Sequence, residues 1–540
     1  MKISGKIVDV LNREIYEGTL NIENNKITKI VKEPVNQQQY ILPGLINAHV
    51  HIESSMLTPA SFAYTAVKHG TVATVSDPHE IANVLGVEGI DYMTNNAKKV
   101  PLKIFFGAPS CVPATSFETS GAVIDAKTIE QLMLRDDIWY LSEMMNFPGV
   151  IYNDQEVHAK LKAAQQAGKP IDGHAPYLMD ENLKKYAMGG ITTDHECVTL
   201  EEARQKMELG IKVQIREGSA AKNFEALNAL ISERNEMVML CTDDSHPDDL
   251  INGFMNVIVK RAINGGHDLF DVLSTVSTNV IEHYNLPVGL LQEGDAADFI
   301  VIDNLSDFNI LSTYIDGNIV FDGTKTLFEI PKEDAKNRFD RRAINALDLK
   351  QAIGKSKIIK VIEAYDGDLT TGVFEYQSDK DLENFEADID QDILKMVVLS
   401  RYDQSPVQVG YVKGFGMKKG AFASSIAHDS HNVIAIGTND TDLLIAINLL
   451  IENKGGLAFT DQQFEESLKL EIAGLMSNKP IEEVAGLYKS ISDKVKACGS
   501  KLYAPLMTAA FMSLLVIPKL KLGDKGLFDV EKFEFTNLIQ

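Results

Sequence analysis

Six of the twelve histidines in this chain, His49, His51, His79, His174, His195 and His246, fall at the ends of short apolar runs that read as strands. His49 and His51 are separated by one residue, so on a strand both imidazoles point to one face and can reach a common metal ion. An isolated HVH would read as two polar residues in a strand-end loop; His174 and His195, closing two further runs, make a ligand set the better reading. Glu143 in LSEMMNF and Asp243 in CTDD add carboxylates at equivalent places. Nitrogen and oxygen donors suit Mn, Fe or Zn, whereas a structural zinc site or an iron–sulfur cluster would call for paired cysteines. His49, His51, Glu143, His174, His195 and Asp243 exceed what one tetrahedral centre needs, which predicts two ions with Glu143 as a bridge. Such a pair lowers the pKa of a shared water toward neutrality, and the chemistry that follows is hydrolysis.

The elements that must place these groups can be counted. Eight strand-like runs occur: ILPGLINAHVH, GTVATVSDPHE, KIFFGAPS, IWYLSEMMNF, KPIDGHAP, GITTDHE, KVQIREG and VMLCTDDSHP. Helix signals lie between them: Thr58 before Pro59, then Asp125, Asp154 and Asp180 as N-caps, and a Thr199 to Glu202 capping box on a helix ending near Gly210. This alternation predicts an α/β fold, a (β/α)8 TIM-type barrel over residues 41–287, whose active-site loops follow the C-terminal ends of the strands where the polar clusters stand. Residues 1–40 and 288–335 carry short alternating runs such as KISGKIVDV, ADFIVID and GNIVFDG, predicted to pair as a small β-sandwich domain. Residues 336–540 mix strand and helix patterns and predict a separate C-terminal α/β domain.

Hydrophobic residues make up 45% and charged residues 24%, as in soluble globular proteins, and 540 residues suffice for two or three cores. Acidic residues outnumber basic ones 76 to 52; the resulting charge of -24 repels nucleic-acid phosphates and anionic membranes, so the expected partner is a small molecule, with no nucleic acid and no membrane. Cys111, Cys197, Cys241 and Cys498 show no CxxC spacing and read as reduced thiols of a cytoplasmic protein, for which a homo-oligomer is expected. The N-terminus lacks a signal-peptide run, and the uncharged stretch Leu502 to Pro518, interrupted by Pro505, is expected to be a buried helix.

The ligand pattern resembles the amidohydrolase superfamily, whose members carry an HxH after the first strand, a bridging lysine or glutamate at the fourth, single histidines at the fifth and sixth, and an aspartate at the eighth. VGLLQEGDAADFIVID, with Gly289, Gly294, Ala297 and Asp298, resembles that superfamily's return from barrel to β domain. Within it, HVHIESSML, SDPHEIANV, EMMNFPGV, DGHAP, TTDHE and CTDDSHPDDL are similar to the adenine deaminase family, and AHDSHN with the later KGGL to that family's extra domain. Many relatives bridge their metals with a carboxylated lysine; no lysine occurs between Arg135 and Gly149, which leaves Glu143.

The resemblance implies hydrolytic deamination of adenine to hypoxanthine and ammonia at a binuclear Mn2+ or Fe2+ centre, with Zn2+ as a further candidate. It implies Asp243, Glu143, His79 and Glu80 as catalytic groups, Asp243 passing the water's proton to the leaving ammonia, and Glu53, Arg216, Glu217, Asp244 and His246 as substrate contacts. Fold and metals alone also admit another binuclear amidohydrolase acting on a cyclic amide or N-acyl substrate, or a non-catalytic assembly protein, a fate that usually shows as missing ligands. The HxE of His51, Ile52 and Glu53 is followed by no PCxxC, which sets aside the zinc nucleobase deaminases. His69, His158, His267 and His283 read as structural. His428 and His431, in AHDSHN, fit either a solvated loop or a loop reaching the barrel mouth. The GFG and GTND glycines read as turns, and no nucleotide cofactor is inferred.

Overall fold

In the computed structural model, which describes residues 1–219, 221–354, 357–377 and 382–540, the eight strand-like runs pair side by side in chain order. They are β1 Leu45–Val50, β2 Thr71–Ser76, β3 Lys103–Ala108, β4 Ile138–Met144, β5 Ile171–Gly173, β6 Thr193–Asp194, β7 Lys212–Arg216 and β8 Val238–Cys241. Every neighbouring pair is parallel. β1, β2 and β8 are buried along their whole length, as strands covered on both faces must be. The ring closes beside two ligand candidates: the Asp243 N–H donates to the His49 carbonyl at 3.0 Å, and Val50 bridges to Asp243.

The first run is in fact two strands. Tyr40–Pro43 pairs with Phe299–Ile302 and Lys2–Asp9, and the chain changes sheet at Gly44, where a Cβ would meet the Val72 side chain at 2.2 Å. Those strands belong to a seven-stranded sheet ordered Asn318–Phe321, Ile310–Ile315, Phe299–Ile302, Tyr40–Pro43, Lys2–Asp9, Glu14–Glu23, Lys26–Lys32. Its core is Ile7, Leu20, Ile27, Ile41, Phe299 and Val301. Asp298, fully buried, ties this sheet to the barrel: it accepts from Lys103 Nζ of β3 at 2.7 Å and from the Gly289 N–H at 3.1 Å.

Three of the expected caps are formed, Thr58 accepting from the Ser61 N–H, Asp125 from Thr128 and Asp154 from Val157. Two differ. Met179 precedes the helix Asp180–Met188, so Asp180 is its first residue, where its charge meets the positive end of the helix dipole. Thr199 accepts from the Glu202 N–H at 3.2 Å, but Glu202 turns to the Val198 N–H and to Lys206 Nζ, because the buried ammonium competes for it.

The chain divides into two compact units, Met1–Pro78 with Asp91–Ser110 and Asp125–Lys332, and His79–Ile90 with Cys111–Ile124 and Glu333–Gln540. The second is built on an eight-stranded mixed sheet running from Thr371–Gln377 at one edge to Glu465–Lys469 at the other. Helix Asp440–Asn453 lays Leu443, Ala446, Ile447 and Leu450 on Val397, Ala423, Val433 and Ala435 of that sheet. Asn439 caps it, accepting from the Asp442 N–H at 2.9 Å, so GTND is a strand-to-helix turn. The Leu502 to Pro518 stretch is largely buried but helical only over Pro505–Ala510. The carbonyls of Phe511 and Met512, which a longer helix would use, are taken by Lys521 Nζ at 2.9 Å and the Leu522 N–H at 3.2 Å. All four cysteines are free and buried, and among the described residues no helix is long and apolar enough to cross a membrane.

Candidate metal centre

The barrel strands deliver the six expected ligands to one place. His49 Nε2 and His51 Nε2 stand 3.2 Å apart, and Asp243 Oδ1 is 3.6 Å from the first and 3.2 Å from the second. Glu143 reaches both ways: Oε1 is 3.3 Å from His51 Nε2, while Oε2 is 2.8 Å from His174 Nδ1 and 3.1 Å from His195 Nε2. Ligands held about 2.0–2.2 Å from a common ion stand roughly 3–3.5 Å from one another, so these separations fit coordination. The groups His49, His195, Asp243 and Glu143, His174, His195 can each hold an ion.

The supporting contacts point the same way. His51 Nδ1 donates to the Asp77 carbonyl at 3.1 Å, which turns the Nε2 lone pair toward the cluster. Burial, then the neighbouring His195, brings His49 down to about 4 and leaves it neutral, the form that ligates. Burial opposes ionisation of Glu143 and Asp243, yet His174 and His195 beside the one and Arg216 beside the other hold both carboxyls well below their ordinary range. Asp243 sits at φ 54°, a left-handed conformation aspartate tolerates, on the residue that both closes the barrel and faces the histidines.

Glu196 was not anticipated. Buried directly after His195, it places Oε1 3.4 Å from His195 Nε2 and 3.6 Å from His174 Nδ1 and binds the Arg216 guanidinium through both oxygens. Arg216 Nη1 also donates to Asp243 Oδ2 at 2.6 Å, so Arg216, expected to touch substrate, spans two carboxylates and orients Asp243. The only signal for Glu196 in sequence was its place in TTDHE, an acidic residue next to a strand-end histidine.

Asp194 frames the same corner. Its carboxylate accepts from the Glu196 N–H at 2.8 Å and the Ala175 N–H at 3.1 Å, setting the backbone beside His195 and His174. Lys206, with no exposed side-chain surface, neutralises it at 3.0 Å and also meets Glu202 at 3.0 Å and the Ala175 carbonyl at 2.8 Å. Lys206→Met would strand two buried carboxylates; the expected result is a loss of about 3–5 kcal/mol in the unfolding of the barrel unit, read from urea melts of mutant and wild type.

The remaining candidates fall in several places. Glu53 is buried in the turn Ile52–Ser55 after β1, and Asp244 accepts from Ser54 Oγ and joins His51 and Asp243 in a third group able to hold an ion. His246 is buried at the start of helix Pro247–Leu250, its N–H on Ser219 Oγ at 2.8 Å. Glu217 pairs with Arg261 at 2.7 Å. His79 and Glu80 begin a helix of the second unit, where His428 and His431 contact Glu80. Both of those histidines are buried, so AHDSHN is not a solvated loop. His69, His158, His267 and His283 hydrogen-bond to Leu250, Val150, Ser232 and Thr192, in keeping with structural roles.

Comparison with known proteins agrees with this architecture. Residues 40–320 match the amidohydrolase family and residues 369–534 the adenine deaminase C-terminal domain. Proteins named adenine deaminase from Methanosarcina mazei and Methanosarcina acetivorans are 53% and 52% identical, each match covering 99% of this chain and 99% of theirs. One from Parabacteroides distasonis is 47% identical, covering 99% of this chain and 98% of its own. With the barrel, its ring of imidazoles and carboxylates and near-complete coverage all in agreement, the chain belongs to the amidohydrolase family, in its adenine deaminase branch.

Proposed function

We propose that this chain hydrolyses adenine to hypoxanthine and ammonia in the cytoplasm, using two Mn2+ or Fe2+ ions held by His49, His51, Glu143, His174, His195 and Asp243. The observation that carries the reading is the division of the Glu143 oxygens, Oε1 toward His51 and Oε2 toward His174 and His195, in a chain whose full-length relatives are named for this reaction. The retained ligand set speaks against a non-catalytic barrel.

When bound, the ions supply Lewis acidity and a water that ionises near neutral pH. Asp243 accepts a proton from the attacking water and delivers it to the departing amine. The water oxygen bonds to C6 and the C6–N6 bond breaks; one water proton leaves with ammonia and the other ends on the ring, which makes hypoxanthine. Arg216, held by Glu196, keeps the Asp243 carboxylate ionised and aimed at this work. Glu53, Asp244 and His246 are assigned to the purine, whose lone pairs and N–H groups need partners once desolvated; Glu217 acts on its loop through Arg261. A different task is assigned to His79 and Glu80 below.

The test is the ultraviolet spectrum of Mn-supplemented protein mixed with adenine, followed together with ammonia release and metal content. Conversion at about two metals per chain is expected. Full metal loading without conversion would transfer the site to another substrate, such as a cyclic amide.

A further inference from the structure

The second unit contains its own cluster of histidines and carboxylates. His79 and Glu80 open the helix His79–Leu85, and the segment from Ala427 to Asn432 presents His428, Asp429 and His431 to them. His428 Nδ1 donates to Glu80 Oε1 at 2.6 Å and His431 Nε2 to Glu80 Oε2. His79 Nε2 lies 3.3 Å from Glu80 Oε1 and 3.9 Å from Asp429 Oδ1. None of these five side chains is more than 4% exposed.

The segment is held on every side. The His428 ring stacks on Phe511 at 4.4 Å, its N–H donates to the Ala510 carbonyl at 3.0 Å, Tyr402 donates to the Ser430 carbonyl at 2.6 Å, and Asn432 Nδ2 donates to the Thr119 carbonyl at 2.8 Å. So much support for a polar loop is what a site needs and an incidental turn does not. Carboxyl groups also gather there. Glu118, buried beside Asp429, has an Oε1 with no hydrogen-bond partner among the described residues, and Asp524 is buried nearby. Buried carboxyl groups are accommodated by hydrogen bonds, by protonation or by a bound cation.

We propose that His79 Nε2, Glu80 Oε1 and Asp429 Oδ1 bind a divalent transition-metal ion, of the Mn2+, Fe2+ or Zn2+ class, within the second unit. The three residues offer donor atoms within 4.8 Å of one another, and nitrogen with carboxylate oxygen is the donor set those ions favour. His428 and His431 are positioning residues: their N–H groups fix the Glu80 carboxylate, as outer hydrogen bonds orient ligands in metal sites generally. The site uses no barrel ligand and does not rest on adenine as substrate.

The test uses the full-length chain carrying His49→Asn, His51→Asn, Glu143→Gln and His195→Asn, which breaks each of the ligand groups named for the barrel centre. After equilibration with Zn2+ and gel filtration, this chain is expected to keep about one metal per chain, and adding Asp429→Asn or His79→Gln is expected to remove it. A second readout is thermal: Zn2+ is expected to raise the Tm of the stripped chain and to leave the Asp429→Asn chain unmoved. Equal metal content and equal Tm shift with and without Asp429→Asn and His79→Gln would overturn the proposal, as would a stripped chain that binds no Zn2+. Adenine turnover by the wild-type protein is untouched by either result, so the two readings fail separately.

Discussion

Asp243→Asn is expected to lower kcat for adenine by about 10³- to 10⁴-fold. The reason lies in the two directions the carboxylate serves. Oδ1 faces His49 and His51 at 3.6 and 3.2 Å, and Oδ2 accepts from Arg216 Nη1 at 2.6 Å. An asparagine amide has one oxygen. Turned toward Arg216, it presents N–H where a ligand lone pair is needed; turned the other way, it sets donor against donor at the guanidinium. It also cannot carry a proton from water to the amine. Steady-state kinetics with metal analysis separates the roles: both ions retained with a large fall in kcat marks proton transfer, and one ion lost marks ligation. Wild-type kcat would falsify the assignment.

The second large effect is on metal. Glu143→Gln is expected to reduce tightly held metal from about two ions per chain to about one or none, with activity falling by about 10³-fold and partly returning at high Mn2+. Glutamine keeps the shape but offers one acceptor, so its NH2 must face either His51 or the pair His174 and His195. The shared negative charge that offsets two cations also goes. Metal content after chelator treatment checks this, and unchanged retention would remove Glu143 as a bridge.

Much of the site was legible in sequence because its signals are local. An HxH on a strand must share a face whatever the rest of the chain does, and strands buried on both sides announce themselves as unbroken apolar runs such as VMLC. The barrel follows from eight such runs alternating with capped helices, and strand ends collect the chemistry because that is where the loops are. Where local signals had two outcomes, the structure chose. Ile41–Pro43 looked like the start of a barrel strand, but its pairing with Phe299–Val301 involves residues far along the chain.

The sequence by itself determined which residues could ligate a metal and which strands carry or precede them. It could not assign partners across long separations. Glu196 meets Arg216 over 20 residues and Arg216 meets Asp243 over 27, a network visible only when β6, β7 and β8 lie side by side. Glu80 meets His428 across 348 residues, a pairing no periodicity encodes. Lys206, an ordinary helix lysine in sequence, proves to be buried beside Asp194. In each case the deciding term is the cost of burying charge, which depends on what the folded chain brings within hydrogen-bond reach and not on neighbours in sequence.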